Sequence, residues 1–543
     1  MNAGRFSRFG RVAVGMALLG LGAMAAYAEA VWVDGETDIW VQNIDRNENA
    51  NVLADFYPVT GAPPTTILAP DLLAPGETFA FRSPFNPVGA IGQFAVIVRS
   101  NRRTAAVNRT REPITGAAVM YNNVDVADSL VVPLVALAFS NPTDVTSIIS
   151  VQSTEKNPNL RLTAELFSKT YYRQLQGTQF SYLARPNTPI VVSTFPNRNT
   201  GGTWQVDLTQ PEFDDAIADQ QPSPAPGINT GTLGWMRIKP EQIAACAQVD
   251  DPDKVCKIGA ESFINLRTVN TAVSGFAGVP ESHKSRRLFM PLFRANFFGT
   301  TGFSIVNPGP NAVRIKTTYL GADQSTDPAC RGQSFVHRAP DGSDTIAIPA
   351  NDSVVLFHIP GNPPPPAPGN VGNSTLPSGC FGSAIVEVVQ GDGVLGMTND
   401  FSVDRNGLPK TAAAYIAKRA EDSATRVGVP MVLHDATRSP GQSTPRITTS
   451  VQVMNTEDRP ASVTVTFREK PFGQLSTPIP PPAAVTIPPR QSHTFWTGAE
   501  PSVRDRTGFE GSAIVESSAK VAVIVTVAEF GRDSVTYNGI SAE

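Results

Sequence analysis

The sequence has little charge and few of the residues that carry catalysis. Charged side chains make up 17% of its 543 residues, and it has five His and four Cys. Lys and Arg total 44 against 48 for Asp and Glu, which gives a formal net charge of −4. A chain without a basic surplus lacks the electrostatic footprint of nucleic-acid-binding proteins, so we expect no nucleic-acid partner.

Signatures of common active sites and metal centres are also missing. The chain contains no C-x-x-C, H-E-x-x-H or G-x-S-x-G pattern, and these patterns mark zinc sites, zinc proteases and serine hydrolases. The run DRNEN at 45–49 has the spacing of a calcium loop, but Ala50 stands where such a loop needs Gly, which favours a polar turn. We therefore predict no catalytic residue, no metal and no cofactor, and a protein that is not an enzyme.

The N-terminus has the three parts of a secretion signal. Arg5, Arg8 and Arg11 precede an apolar run at 12–25, and AYA at 26–28 or AEA at 28–30 offers a cleavage site. A transmembrane anchor is the alternative, but the run is shorter than the roughly 20 residues that a span needs. The pattern predicts a signal peptide at 1–29, a secreted bacterial protein located extracellularly or at the cell surface, and no membrane span after cleavage.

The four Cys fit two disulfides in a secreted chain. Three pairings are possible. The two local pairs, Cys246 with Cys256 and Cys330 with Cys380, are the predicted ones.

One pattern of strands occurs four times along the chain. The last copy contains VQVMN at 451–455, ASVTVTF at 461–467, VTIP at 485–488 and GSAIVE at 511–516, and the third contains FSIVN at 303–307 and GSAIVE at 382–387. The alternation in VTVTF is typical of a half-buried strand. Repeats of this kind predict tandem modules, each with its own core.

Each of the last three copies opens with an apolar strand that carries a Pro, at Pro133, Pro291 and Pro430. Because Pro cannot donate to a ladder, this opening strand is expected at a sheet edge or at a bulge. A Tyr closes three of the copies, at Tyr121, Tyr415 and Tyr537.

The predicted fold class is all-β, with four tandem immunoglobulin-like β-sandwich domains after the signal peptide. We place the domains at 30–127, 128–284, 285–425 and 426–543, and expect a loop insertion at about 197–256 in the second. Rigid modules joined by short links predict an extended rod.

The pattern resembles a repeat of extracellular proteins from Chloroflexota-type filamentous bacteria. The resemblance covers residues 36–543 and depends on the opening Pro strand, the VQxxN hairpin, the GFxGSAIV strand at 508–515 and the YNG ending at 537–539. It implies exposure at the cell surface and no assigned chemistry.

Three Trp residues are the candidate binding residues: Trp40, Trp204 and Trp235. Trp40 alternates with apolar positions 39 and 41, which places it on the outer face of its strand. It is either a contact site or is covered by residues 31–33, folded back through Asp34-Gly35. The first copy also lacks a full opening strand, so its open edge could accept a strand of a partner or a surface neighbour.

The predicted function is a structural or adhesive role at the cell surface, in a filament or in the extracellular matrix. The expected partners are other surface or matrix proteins, or further copies of the chain. Two alternatives stay open. One is an array of carbohydrate- or ligand-binding modules with glycan partners, and the other is a hydrolase built from carboxylates at Glu212, Asp214, Asp215 and Asp219.

Overall fold

The structure is a computed structural model. It describes residues 36–58, 63–82, 94–111, 118–122, 126–137, 145–153, 160–174, 180–184, 191–198, 203–207, 228–241, 256–266, 273–297, 299–339, 341–357, 373–374, 376–403, 409–434, 447–469, 477–480, 483–506, 508–529 and 533–543. This part of the chain consists mostly of antiparallel strands and holds no α-helix, which confirms the all-β prediction. We call the four sequence copies units 1 to 4, with the predicted boundaries.

Unit 1 forms two sheets. Its strands are β1 (Glu36–Asn43), β2 (Val52–Pro58), β3 (Thr65–Leu68), β4 (Thr78–Phe81), β5 (Phe94–Ser100), β6 (Thr104–Arg111) and β7 (Ala118–Asn122). The sheet orders are β4-β1-β6-β7 and β3-β2-β5.

Unit 2 has the same two sheets with longer strands. Its strands are β8 (Leu130–Leu137), β9 (Val145–Ser153), β10 (Leu160–Gln174), β11 (Phe180–Ala184), β12 (Val191–Arg198), β13 (Thr203–Asp207), β14 (Ile228–Pro240), β15 (Ile258–Leu266), β16 (Val273–Ala277) and β17 (Val279–Pro280), followed by a 3-10 turn (Glu281–His283). The orders are β13-β9-β15-β16 and β11-β10-β14-β8-β17. The range 197–256 was predicted to be a loop insertion. It is not a loop throughout, because it contains β13 and β14 and so supplies a strand to each sheet.

Unit 3 repeats the arrangement. Its strands are β18 (Arg287–Ala295), β19 (Thr300–Asn307), β20 (Val313–Gly321), β21 (Ser334–Arg338), β22 (Ile346–Ile348), β23 (Asp352–Phe357), β24 (Asn373–Ser374), β25 (Cys380–Gln390), β26 (Leu395–Val403), β27 (Pro409–Ile416) and β28 (Lys418–Arg419). The orders are β23-β19-β26-β27 and β24-β21-β20-β25-β18-β28.

Unit 4 joins its two sheets through one long strand. Its strands are β29 (Ala424–His434), β30 (Ile447–Asn455), β31 (Ala461–Glu469), β32 (Thr477–Pro478), β33 (Val485–Ile487), β34 (Ser492–Trp496), β35 (Phe509–Glu529), β36 (Asp533–Asn538) and β37 (Ile540–Ser541). The first half of β35 pairs with β31 and β29, and the second half pairs with β30 and β36. Unit 3 breaks the same path between β25 and β26 at Gly391, where the backbone has φ 103°.

We call the sheet that contains β1, β9, β19 or β30 the hairpin sheet. We call the other sheet of each unit the opening sheet; in units 2 to 4 it contains the opening strand β8, β18 or β29, and in unit 1 it is β3-β2-β5. In the opening sheet of unit 4, Val463, Val465 and Phe467 are buried, and the intervening side chains are partly exposed. The period of two read from the sequence is therefore the side-chain alternation of β31.

The hydrophobic cores follow the units but join at their borders. Each unit has its own buried cluster. The cluster of unit 2 also contains Val355 and Met397 of unit 3, and the cluster of unit 4 contains Trp40 and Val107 of unit 1. Burial across a border is typical of units that pack on one another rather than of beads on a flexible string.

The four units close into a ring instead of the expected rod. The closing strands β7, β16, β27 and β36 contact one another in cyclic order, so that unit 4 contacts unit 1. Thr78 Oγ1 in unit 1 donates to Pro430 O in unit 4 at 3.1 Å, and Ser304 Oγ in unit 3 donates to Pro133 O in unit 2 at 2.8 Å. In both contacts a hydroxyl of the hairpin sheet binds the carbonyl of the Pro in the neighbouring unit's opening strand. In a rod, the Pro430 carbonyl of unit 4 would lack this partner.

Candidate functional site

The Pro of the opening strand makes a bulge that the closing Tyr fills. In unit 4 the register of β29 against β35 shifts between Val429 and Val432, which flank Pro430. The bulge turns Met431 away from the ladder. Tyr537 Oη donates to Met431 O at 2.5 Å and accepts from Met431 N at 3.2 Å. One buried hydroxyl therefore satisfies both backbone groups that the bulge leaves unpaired.

Unit 3 uses the same device, and unit 2 does not. Tyr415 Oη donates to Leu292 O at 2.5 Å and accepts from Leu292 N at 3.3 Å. Burial raises the pKa of both Tyr415 and Tyr537, so their hydroxyls stay protonated donors. In unit 2 Phe276 occupies the Tyr position, buried in the core but without a hydroxyl.

A repeated Asn fixes the end of the first hairpin arm. In unit 4 Asn455 Nδ2 donates to the carbonyl oxygens of Arg459 at 2.7 Å, Ile487 at 3.2 Å and Pro488 at 3.1 Å. Its Oδ1 accepts from Glu457 N at 3.0 Å. One amide thus joins the hairpin turn to the turn before β34.

The same Asn acts alike in units 1 and 3. Asn43 Nδ2 donates to the carbonyl oxygens of Glu48 and Leu73, each at 2.8 Å. Asn307 Nδ2 donates to Asn311 O at 2.8 Å and to Pro349 O at 2.8 Å. The Asn of the VQxxN pattern is therefore a structural residue.

In three units a residue with left-handed backbone conformation lies just before β4, β23 or β34; we call it the corner. It lies at Gly76 with φ 79°, Asn351 with φ 51° and Arg490 with φ 61°. A residue other than Gly pays of order 1 kcal/mol for this conformation, which persists where surrounding contacts require it.

Each of these corners is the docking point of the neighbouring unit. The contact comes from the strand of the opening sheet that carries GSAIV or its counterpart. The contacts are Ser512 Oγ to Gly76 O at 3.1 Å, Ser383 Oγ to Arg490 O at 2.8 Å, and Arg237 Nη2 to Asn351 Oδ1 at 3.1 Å. Ser383 and Ser512 thus serve as contacts between units, in place of the nucleophile role that a Ser also permits.

Trp40 lies in the contact between units 4 and 1. It is 2% exposed and packs into the unit 4 core cluster. The guanidinium of Arg82 lies 5.5 Å from the Trp40 ring centre and forms an ion pair with Glu510 of unit 4 at 2.7 Å. Gln42 Nε2 also donates to Ala513 O of unit 4 at 3.1 Å.

Arg237 organises the contact between units 2 and 3. Its Nη2 donates to Pro308 O of unit 3 at 2.6 Å. Within unit 2, Nε lies 3.1 Å from Glu281 Oε2 and Nη1 lies 3.2 Å from Glu165 Oε2. Because the residue is 9% exposed, these carboxylates compensate a nearly buried charge.

The contact between units 3 and 4 combines an apolar patch with a polar rim. Phe289 of unit 3 clusters with Met454 and Ala522 of unit 4. At the rim, Thr494 N donates to Gln324 Oε1 at 2.8 Å.

A cavity of about 420 Å³ lies where the four closing strands meet. Each unit contributes the residue immediately before its closing aromatic position: Met120, Gly275, Ala414 and Thr536. Equivalent residues therefore face a shared axis, as expected for a ring of four related units.

The structure does not support an aromatic binding platform at two of the predicted Trp residues. Trp40 is buried against unit 4, and Trp235 is 1% exposed, stacked on Phe167 at 4.2 Å. Residues 31–33, the other predicted cover of Trp40, lie outside the described residues. Trp204 lies on β13, and its side chain is outside the described part of the structure.

The other predicted sites have mixed outcomes. Cys330 and Cys380 form a disulfide with a Cα–Cα distance of 5.6 Å, which confirms that pair. Cys256 is disulfide-bonded, but Cys246 lies outside the described residues, so that pairing stays a prediction. The carboxylates at 212–219 also lie outside them.

The calcium-like run at 45–49 forms a turn held by its own backbone. Asp45 Oδ1 accepts from Asn47 N at 2.9 Å and Glu48 N at 3.0 Å. These backbone hydrogen bonds lower the pKa of Asp45, and the one from Asn47 has the largest effect. Among the residues that the structure describes, no group of three metal-ligating side chains occurs and no helix could cross a membrane.

Sequence reasoning missed two residues that matter here. Arg237 gave no signal, because its partners are distant in sequence and lie partly in another unit. Trp496 is the large aromatic that the structure leaves 40% exposed, at the end of β34. Its position as the last residue of the strand SHTFW at 492–496, next to the buried Phe495, was the available signal.

Comparison with known proteins gives little. No family model and no curated protein matches the chain. The crystal structure of Thermotoga maritima 1070 is similar to 22% of this chain over 96% of its own, at 16% identity and a TM-score of 0.17. That likeness carries no argument about fold or function.

Proposed function

We propose that the chain is a secreted, non-enzymatic protein of four immunoglobulin-like β-sandwich units with a structural or adhesive role at the bacterial cell surface or in the extracellular matrix. The observation that carries the proposal is the use of the repeated polar residues. The closing Tyr, the hairpin Asn and the GSAIV Ser all bind backbone groups within or between units. Residues that recur for this purpose build a scaffold.

Further support comes from the disulfide and the signal-like N-terminus. Disulfides persist in oxidising, extracellular compartments. The resemblance to surface proteins of filamentous bacteria is consistent with the same location. Because the units form a closed ring, the proposed protein is a compact particle and not an extended rod. Its outer faces would contact matrix proteins or other surface proteins.

Two measurements test this proposal. Antibody labelling in electron microscopy should decorate the native cell surface or its fibres, and a strain without the chain should show none. Small-angle scattering of the exported chain should give a radius of gyration near the value of about 24 Å expected for a compact chain of this length. Label confined to the cytoplasm, or turnover of an ester, glycoside or peptide by the pure protein, would contradict it.

Glycan binding is the second candidate, because Trp496 presents an aromatic surface to solvent. A glycan array tests it with Trp496→Ala as the variant and the buried Trp235 as the reference position. Binding that Trp496→Ala abolishes would favour a carbohydrate-binding module array; an array without signal would remove this candidate.

A further inference from the structure

Among the described residues, the opening sheet of unit 1 lacks two strands that the other units have. In unit 2 the order β10-β14-β8-β17 carries the opening strand and a short strand beyond it, and units 3 and 4 repeat this as β20-β25-β18-β28 and β31-β35-β29-β37. In unit 1 the corresponding sheet is β3-β2-β5, and within the described residues no strand pairs with the far edge of β5. The opening strand has no described counterpart in unit 1.

The side chains of β5 show the consequence. Phe56 faces Val96 as Phe467 faces Ala513, so β5 corresponds to the first half of β35. Val96 and Val98 pack against the unit 1 core, yet both are only half-buried. Ala513 and its neighbour at 515 are both fully buried at 0%. As far as the described residues go, the unit 1 core is therefore open on the side where an opening strand would lie.

A matching gap occurs on the hairpin sheet of unit 2. In the other contacts this face is covered by the neighbour's opening strand, and the residues there are buried: Trp40, Gln42, Ser304, Val306, Gln452 and Met454. The equivalent residues of unit 2, Ser150 and Gln152, are half-buried. Gln152 Nε2 is itself buried without a hydrogen-bond partner in the described structure. In the part of the chain that the structure describes, both sides of the gap thus lack the same strand.

The exported chain is too short to fill the gap itself. The opening strands have 8, 9 and 11 residues, and the shortest link from one to the hairpin sheet is 296–299. Since β1 begins at Glu36, a strand and link of these lengths would occupy at least residues 24–35. Cleavage after Ala28 or Ala30 leaves at most residues 29–31 for the strand itself.

Among the described opening strands, a second copy of the chain has none to spare. Each described opening strand is paired on both edges: β8 by β14 and β17, β18 by β25 and β28, and β29 by β35 and β37. Donating one would unfold its own unit. The occupant must then be an extended segment of a different protein.

We propose that the exported chain binds, along the free edge of β5, an antiparallel strand of about eight residues from another protein. This inference rests on the proposed secretion, since cleavage removes the chain's own candidate segment. The opening strands of units 2 to 4 define the ligand chemistry. Alternate apolar side chains enter the core, as Leu288 and Met290 do in unit 3, and the backbone completes the ladder. Bound there, the strand would also cover Gln152 and complete the contact between units 1 and 2.

The probe is a labelled peptide with the unit 4 opening sequence, TRVGVPMVLH (425–434). The chain that starts at Ala30 should bind one peptide per molecule, and its melting temperature should rise as the peptide is added. A matched peptide with Val427→Lys and Val429→Lys should bind at least about tenfold more weakly, because two core-facing side chains become charged. Equal binding of the two peptides would overturn the proposal.

A self-complemented variant provides the structural control. Residues 286–299, the unit 3 opening strand and its link, replace residues 30–35 in front of Glu36. This variant should melt at a higher temperature than the chain from Ala30 and should no longer bind the peptide. A variant that gains no stability and binds the peptide unchanged would place the peptide elsewhere and contradict the proposal.

Mass spectrometry of the natural protein separates the remaining outcomes. An N-terminus at residue 29 or 31 leaves the edge to a partner, whereas a chain that retains Met1 would fill it in cis, which contradicts both the secretion and this inference. If the chain is exported but forms a dimer that the peptide dissociates, the edge accepts a second copy and the choice of occupant is wrong. Peptide binding by the chain from Ala30 is measured independently of export, so the two proposals can fail separately.

Discussion

Units 1 and 4 share their hairpins and corners but differ in the completeness of their opening sheets. Asn43 and Asn455 make the same kind of hydrogen bonds, and Gly76 and Arg490 adopt the same left-handed corner. Unit 4 nevertheless pairs its long β35 with β29, whereas β5 of unit 1 has a free edge among the described strands. The residues that the two units share thus specify the hairpin sheet, and the opening strand completes the opening sheet in the unit where the structure describes one.

The largest expected effect comes from the hairpin Asn, and it should be equal in the two units. Asn455→Ala removes two N–H donors and the acceptor for Glu457 N, which should cost about 3 kcal/mol of unfolding free energy. Asn43→Ala should cost a similar amount, measured by urea unfolding of the whole chain. Asn455→Asp keeps an acceptor for Glu457 N but turns a second acceptor oxygen toward the carbonyl groups that Asn455 Nδ2 binds at a fully buried site, so it should cost at least as much as Asn455→Ala. A much smaller loss for Asn43→Ala would mean that the two Asn residues are not equivalent.

Replacement of the closing Tyr should destabilise unit 4 more than unit 1. Tyr537→Phe removes the partner of both Met431 backbone groups and should cost about 1–3 kcal/mol. Tyr121→Phe in the chain from Ala30 should cost less, because unit 1 has no described bulge to receive a hydroxyl. Thermal unfolding of both variants measures this. Equal losses would indicate that unit 1 has an opening strand of its own.

Arg82 probes the contact that closes the ring. Arg82→Gln removes the ion pair with Glu510 and the contact with the Trp40 ring, and at a partly exposed site this should cost about 1 kcal/mol. Faster hydrogen exchange in β1 and β29 would report the opening of this contact. The matched control is Arg459→Gln, which breaks a surface ion pair with Glu457 and should leave β1 and β29 unchanged.

The smallest effect is a pH dependence confined to the contact between units 3 and 4. Burial lowers the pKa of His493, so the folded state binds its proton less readily than the unfolded state. Stability is therefore lost as the pH falls below the unfolded value of about 6.5. Phe79 takes the equivalent place in unit 1, facing Val41 as His493 faces Val453.

His493→Phe should remove this dependence. Melting temperatures between about pH 7.5 and pH 5.5 check the prediction. A fall of the same size in the variant would assign the pH response to another group.

The strands were predictable because their signals are local. The alternation in 463–467 predicted β31. Pro430 predicted a sheet edge or a bulge, and β29 has the bulge. Each follows from the chemistry of a few adjacent residues. The confirmed disulfide followed from the position of two Cys within one repeat.

The ring was not predictable, because the residues that form it differ from unit to unit. One position of the hairpin sheet has a different kind of side chain in each of three units: the indole of Trp40, the hydroxyl of Ser304 and the amide of Gln452. Alternation identifies which face a side chain is on but not what covers that face. Trp40 therefore gave the signal of an exposed aromatic while it lies in a contact across more than three hundred residues of chain.

Closure of the ring changes how the particle comes apart. Unit 4 meets unit 1 while both are tethered through units 2 and 3, so this last contact forms at a high effective concentration and needs little affinity of its own. Freeing any one unit requires two separate contacts to open together. A protease that cuts a single connecting segment would therefore nick the particle without releasing a fragment.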